Sequence, residues 1–214
     1  MKLLFISWVL LLTACSPPSA SQQAIMSIRN ISTLNDITKN VNKSFIGHPE
    51  PSHYSICYAH SCNKIGFVSL SQQEWHAIER LFLPLALNAE IEREQIKAAI
   101  AQLEIYSGMY TGTDHDLAEN AISNNTNGAL DCIDEATNTT VYLRMLQNAG
   151  LLHFHVQAHR LSRGGLIRPH NTATIIETES NTRYVVDSWF GNNGEQPAII
   201  PLSLWKSGWK PNKN

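Results

Sequence analysis

Apolar residues are unevenly distributed along this 214-residue chain. Leu3 to Leu12 form one short continuous apolar run, and from Ser16 to about Asn42 large apolar groups are sparse among Ser, Gln, Asn and Thr. Patterned sequence begins near Tyr54. Tyr54 to Tyr58 and Ile65 to Ser69 are β-prone stretches on either side of a short polar loop, which predicts a hairpin. Ser71-Gln72-Gln73-Glu74 has capping-box spacing and opens a helix through Trp75, Ile78, Leu81 and Phe82, ended by Pro84. Asn88 caps a longer helix in which Ile91, Ile96, Ile100, Leu103 and Tyr106 recur at near-helical intervals, with Gly108 and Gly112 as its stop. Thr111 to Leu130 reads as loop, with Asn124-Asn125 and Asn127-Gly128 as turn signals. A third helix is expected from Cys132 to Ala149, with Ala136, Leu143, Leu146 and Ala149 facing the core and Gly150 as its stop. From Leu151 the period changes to that of strands: Leu152 to Gln157, Ala173 to Glu177 and Arg183 to Asp187, with turns at Ser162-Arg163-Gly164-Gly165 and Glu179-Ser180-Asn181. Helices followed by an antiparallel sheet make an α+β layout.

Composition sharpens this picture in two ways. The chain is 43% hydrophobic and 16% charged with a formal net charge of −2, so residues 43–214 have the makings of one core-bearing domain. No basic stripe is present to hold nucleic acid, and no internal repeat divides the chain.

The apolar run near the N-terminus is too short for a comfortable membrane span and has the layout of a secretory signal, with Lys2 supplying its positive charge. Leu12-Thr13-Ala14-Cys15 resembles a bacterial lipobox. That resemblance implies removal of residues 1–14 and acylation of Cys15, as in a palmitate-bearing lipoprotein. Residues 15–42 then form a flexible tether. Ser16 after the cysteine resembles the sorting pattern of outer-membrane lipoproteins, which places the protein in the cell envelope, lipid-anchored and facing the periplasm.

Export changes the reading of the remaining cysteines, because disulfides persist in an oxidising compartment. Cys57 and Cys62 flank the Tyr58-Ala59-His60-Ser61 loop, a spacing that fits a disulfide closing the hairpin. Parity then leaves Cys132 as a free thiol. A buried inert cysteine, or a bridge from Cys132 to one of the other two, is the alternative.

Cys132 opens the third expected helix in Leu130-Asp131-Cys132-Ile133-Asp134. His170 follows in Arg168-Pro169-His170, before the apolar Thr174-Ile175-Ile176, and Asp187 closes Tyr184-Val185-Val186-Asp187 ahead of Ser188-Trp189. Thiol, imidazole and carboxylate on a helix start and two successive strands are the parts of a nucleophilic triad. The helix N-terminus and an imidazolium would favour the thiolate.

These stretches, from Gly128 to Trp189, resemble the transglutaminase-like cysteine peptidase superfamily, whose architecture is papain-like. Asp131-Cys132-Ile133-Asp134 resembles its Cys motif, including the acidic residue two places on. Leu143 to Leu152 resembles the helix end leading into the first core strand, His170 through Ile176 the His-bearing strand, and Tyr184 to Trp189 the Val-Asp-x-Trp strand end. Where the family often has an aromatic two residues after the histidine, this chain has Thr172. The helix after Cys132 is also unusually polar at Thr137, Asn138, Thr139 and Thr140.

The resemblance implies a membrane-anchored amide hydrolase or acyl transferase working through a thioester. Cys132 is its nucleophile, His170 its general base and acid, and Asp187 its orienter; no cofactor is required. A peptide, protein or cell-wall amide is the expected substrate. The oxyanion donors would be the Cys132 amide and a side chain from the preceding loop, with Asn124, Asn125 and Asn127 as candidates. Asp131 and Asp134 read as helix N-terminal charges that oppose a thiolate unless Asp134 faces away. Two rival readings come from other classes. One is the same fold without catalysis, as a binding or assembly module. The other is a metal-binding lipoprotein using His153, His155 and His159, which share one face if the segment is a regular strand. Trp189, Trp205 and Trp209 read as packing residues.

Overall fold

The computed structural model describes residues 45–120, 128–165 and 169–212. The expected signal, Cys15, the whole tether to Asn42, Asn124, Asn125 and Asn127 lie outside the described residues. In chain order the elements are β1 (Tyr54–Tyr58), β2 (Lys64–Val68), α1 (Gln72–Arg80), α2 (Ala89–Thr111), α3 (Cys132–Asn148), β3 (His155–Arg163), β4 (His170–Glu177), β5 (Arg183–Asp187), β6 (Ala198–Pro201) and α4 (Leu202–Lys206). The fold is a mixed α+β arrangement with two antiparallel sheets: the β1–β2 hairpin, and a sheet in the order β3-β4-β5-β6. No described helix is long and apolar enough to cross a membrane.

Several local signals act as the sequence suggests. Ser71 and Glu74 exchange the reciprocal bonds of a capping box at α1, and the Asn88 side chain accepts the Ile91 amide at the start of α2. Gly112 terminates α2 with φ 73°, a left-handed conformation that suits glycine. Gly108 does not stop the helix, contrary to expectation; it lies inside α2 because the chain packs against it. A Cβ there would meet the Asp114 backbone at 2.9 Å.

The expected strands also shift. β3 begins at His155 rather than Leu152 because the Glu92 carboxylate takes the amides of His153, Phe154 and His155 at 2.6–3.0 Å. It then continues to Arg163, which pairs with His170, so β4 starts before Ala173. β6 and α4 had no counterpart in the sequence reading. Runs of four and five residues are too short to display a period.

Helix α3 is buried almost all round, between the hairpin on one side and the larger sheet on the other. Val141, Leu143, Met145 and Leu146 join Tyr54 and Ile56 of β1, Ile96, Ile100 and Leu103 of α2, and Ala173, Ile175 and Val186 of the sheet in one core. Ala149, expected in that core, is exposed at the end of the helix. Thr137, Asn138, Thr139 and Thr140 of α3 are inside instead, and each finds a partner. Thr137 and Thr140 donate to carbonyls one turn back at 2.6 and 2.7 Å, a local option open to threonine. Asn138 bridges to β1, accepting the Cys57 amide at 2.7 Å and donating to its carbonyl at 2.9 Å.

Candidate active site

The site is assembled from the start of α3 outward. Asp131 is the N-cap, and its Oδ1 accepts the amides of Ile133 and Asp134 at 3.0 and 2.9 Å. Asp134 closes the reciprocal arm by accepting the Asp131 amide at 3.3 Å. Cys132 is therefore the first helical residue, and its own amide has no acceptor among the described residues.

The same two carboxylates hold the tip of the hairpin. Asp131 Oδ2 accepts the Ser61 amide at 2.9 Å and its hydroxyl at 3.1 Å, while Asp134 Oδ1 accepts the Cys62 amide at 2.6 Å. Ala59, His60, Ser61 and Cys62 all have φ between 55° and 67°. Four successive non-glycine residues in the left-handed region persist only when surrounding contacts enforce them. Here the Cys57–Cys62 disulfide and the two aspartates supply that enforcement. Asp134 consequently faces the hairpin. Burial, reinforced by the neighbouring Asp131 charge, pushes its carboxyl up to about 7.

The first residue of β4 and the last of β5 supply the partners. His170 donates from Nε2 to Asp187 Oδ2 at 2.8 Å, and the Trp205 indole N–H donates to the same oxygen at 2.7 Å. Aromatic rings enclose the imidazole, with centroids at 4.7 Å (Trp189), 5.3 Å (Phe190) and 5.5 Å (Trp205). Among the described residues, the buried His170 Nδ1 has no hydrogen-bond partner. It is the ring nitrogen left for the thiol, and Cys132 is among the groups acting on this histidine. Burial pulls the imidazolium down, but the Asp187 bond, with Cys132 beside it, outweighs that and raises the histidine to about 9. Among the described residues Cys132 is the free cysteine, and it is half-buried. Its Sγ lies 3.7 Å from the Pro169 carbonyl and 3.7 Å from Asn171 Nδ2.

Behind the helix start lies a second group of carboxyls. Asp116 Oδ1 accepts the Leu130 amide at 2.7 Å and Asn120 Nδ2 at 2.8 Å, tying the start of the α2–α3 connection to its end. Glu135 hydrogen-bonds to Asp116, and Glu104 to Ser188 and the Gly194 amide. Burial raises all three above the ordinary carboxylate range, Glu104 to about 8.

The structure thus brings Cys132, His170 and Asp187 to one place. It does not bring His153, His155 and His159 together. His153 precedes β3; His155 is buried and donates from Nδ1 to Glu92 at 2.8 Å; His159 lies 3.4 Å from an Arg183 nitrogen. Another set, His60, Asp131 and Asp134, has potential ligand atoms within 4.8 Å of one another. Its carboxylates already accept backbone amides. Thr172 is buried and donates to the Val186 carbonyl at 3.0 Å. Trp205, Asn171 and Arg160 escaped the sequence reading as site residues. They meet Cys132, His170 and Asp187 only through long-range folding, and no local motif marks them.

Compared with protein-family models, curated proteins and solved structures, the chain matches none.

Proposed function

We propose that this chain is a cysteine-dependent amide hydrolase or acyl transferase of papain-like, transglutaminase-like design. The observation that carries the reading is the 2.8 Å His170–Asp187 bond beside the free thiol of Cys132, itself the first residue of α3. A histidine raised to about 9 holds its proton at neutral pH. Together with the helix N-terminus it favours the thiolate.

The thiolate attacks the amide carbonyl carbon, and the oxyanion forms against the Cys132 amide, which the Asp131 cap leaves unused. Asn171 Nδ2 is a second donor within reach, alongside Asn124, Asn125 and Asn127 outside the described residues. Loss of one such donor costs about 3 kcal/mol in barrier height. As the C–N bond breaks, the leaving nitrogen takes the proton from His170, leaving a thioester on Cys132. Water or an amine then attacks that carbonyl and gives its proton to His170. The C–S bond breaks, restoring the Cys132 thiolate beside a protonated His170. Asp187 fixes the tautomer throughout, as in other triads.

The lipobox-like Leu12-Thr13-Ala14-Cys15 and Ser16 support anchoring at the periplasmic face of the outer membrane, where peptide, protein and cell-wall amides are the accessible substrates.

The test is the pH dependence of Cys132 alkylation by iodoacetamide, with the modified residue identified by mass spectrometry. Fast alkylation should persist below pH 7 in the wild type. His170→Ala should move the midpoint to the ordinary thiol range near about 8.5. A wild-type profile already at that value and indifferent to His170 removes the mechanism.

A further inference from the structure

Arg160 stands beside the nucleophile with no part in the chemistry above. It lies on β3 where the register against β4 shifts between Ala158 and Leu161, a bulge that re-aims side chains. Its Nη1 donates to Thr137 Oγ1 at 2.7 Å and reaches the Ile133 carbonyl at 3.4 Å. Both partners are neutral and sit on the first turns of the helix that Cys132 begins. Among the described residues no carboxylate comes within ion-pair distance of this guanidinium. Arg93, similarly withdrawn from water, is paired with Glu177 at 2.7 Å. Among the described residues Arg144, Arg163 and Arg183 also lack a carboxylate, bonding instead to Gln157, to the Trp205 and Trp209 carbonyls and to His159. What sets Arg160 apart is its place against the first turns of the helix that Cys132 begins.

The anions that act on Arg160 are Cys132 and, after it, Asp131. Asp131 has both oxygens occupied by Ile133, Asp134 and Ser61. Burial draws the guanidinium down to about 10, which leaves it charged at neutral pH. Nε and Nη2 make no hydrogen bond among the described residues. The free edge of the fork is the geometry that receives a carboxylate in two parallel bonds.

We infer that Arg160 is a specificity determinant that binds a carboxylate carried by the substrate within about one residue of the scissile amide. The inference rests on Cys132 being the nucleophile. The carboxylate comes from a free chain terminus or from an acidic side chain next to the reacting carbonyl.

Three thiol reagents separate these sources without knowledge of the natural substrate. Iodoacetylglycine carries a terminal carboxylate, iodoacetyl-aspartamide a side-chain carboxylate, and iodoacetylglycinamide none. Their rates with Cys132 are measured in the whole protein for wild type, Arg160→Gln and Arg160→Lys. Any general change in thiol reactivity moves all three rates together and cancels in the ratio of anionic to neutral reagent. At least one anionic reagent should outpace the neutral one in the wild type. That ratio should fall about tenfold in Arg160→Gln and only partly in Arg160→Lys, which keeps the charge but not the fork. The favoured reagent names the source of the carboxylate. An unchanged ratio in Arg160→Gln, or a wild-type preference for the neutral reagent, overturns the inference. Failure of the underlying mechanism has a different signature, since the neutral reagent alone would then show an ordinary thiol pH profile.

Discussion

His170 donates to an oxygen of Asp187 that also accepts the indole N–H of Trp205. The second oxygen, Oδ1, is buried without a partner among the described residues. Asp187 is 1% exposed, so its charge depends on very few donors, and a hydrogen bond to such a group contributes about 1.5–3 kcal/mol. Trp205→Phe keeps a ring against His170 but removes the donor and leaves part of the buried indole volume unfilled. It is expected to lower unfolding stability by about 2 kcal/mol in urea at unchanged m-value; a loss below about 0.5 kcal/mol would show that the indole gives Asp187 little support. At this scale the grouping of Cys132, His170 and Asp187 was legible because each sits beside a local signal: a helix cap for Cys132, a strand start for His170, a strand end for Asp187. Trp205 was not. Its ring reaches Asp187 across β5 and the β6–α4 connection, and nothing around Leu204-Trp205-Lys206 distinguishes it from a packing residue. Arg160 and Asn171 were hidden for the same reason.

Among the elements, α3 is the piece on which both sheets depend, and Asn138 is its polar joint to the hairpin. The side-chain amide meets both backbone groups of Cys57 at 2.7 and 2.9 Å, doing for the edge of β1 what a neighbouring strand would do. Asn138→Ala leaves a buried N–H and a buried carbonyl without partners, at about 1–3 kcal/mol each. It should therefore cost about 3 kcal/mol or more, whereas Asn148→Ala, exposed at the end of the same helix, should stay within about 0.5 kcal/mol. Equal losses in chemical denaturation would mean that the bridge does not hold the hairpin. The stretch Thr137 to Thr140 stood out in the sequence only as unusually polar, because composition cannot say that a polar side chain will find its partners inside. Helix caps are local and were read correctly, as was the hairpin with its disulfide. The onset of β3 was misplaced because Glu92, about sixty residues upstream, takes the amides that a ladder would use.

Across the whole molecule, carboxyls from separate segments are buried together: Glu104 from α2, Asp116 from the loop after it, and Glu135 from α3, with Asp134 on the hairpin side. Among the described residues, Glu104 and Glu135 each keep one buried oxygen unpartnered. No sequence pattern announces this, since Glu104 and Glu135 occupy ordinary helical positions. Burial raises all four, Asp134 to about 7 and Glu104 to about 8 from ordinary values of 3.8 and 4.5. Within that window the folded chain holds protons that the unfolded chain has released, so stability falls as pH rises. His170 adds to the fall. Its ordinary value of 6.5 becomes about 9 on folding, so its contribution is complete below about 6.5 and lost as pH climbs through 9. Glu92 works in the opposite sense. Burial disfavours its charge, but the His155 ring and the backbone amides outweigh this and hold it below the usual range. Its contribution is present above the unfolded carboxylate value and disappears in acid. The melting temperature should therefore peak near about pH 5 and drop by roughly 5–10 °C toward pH 9. Glu135→Gln, which removes one proton-holding carboxyl while retaining a donor for Asp116, should make that alkaline slope shallower. Calorimetry across the pH range decides the matter: a wild-type melting temperature that stays level or rises from pH 5 to pH 9 would mean that these carboxyls ionise in the fold at little cost.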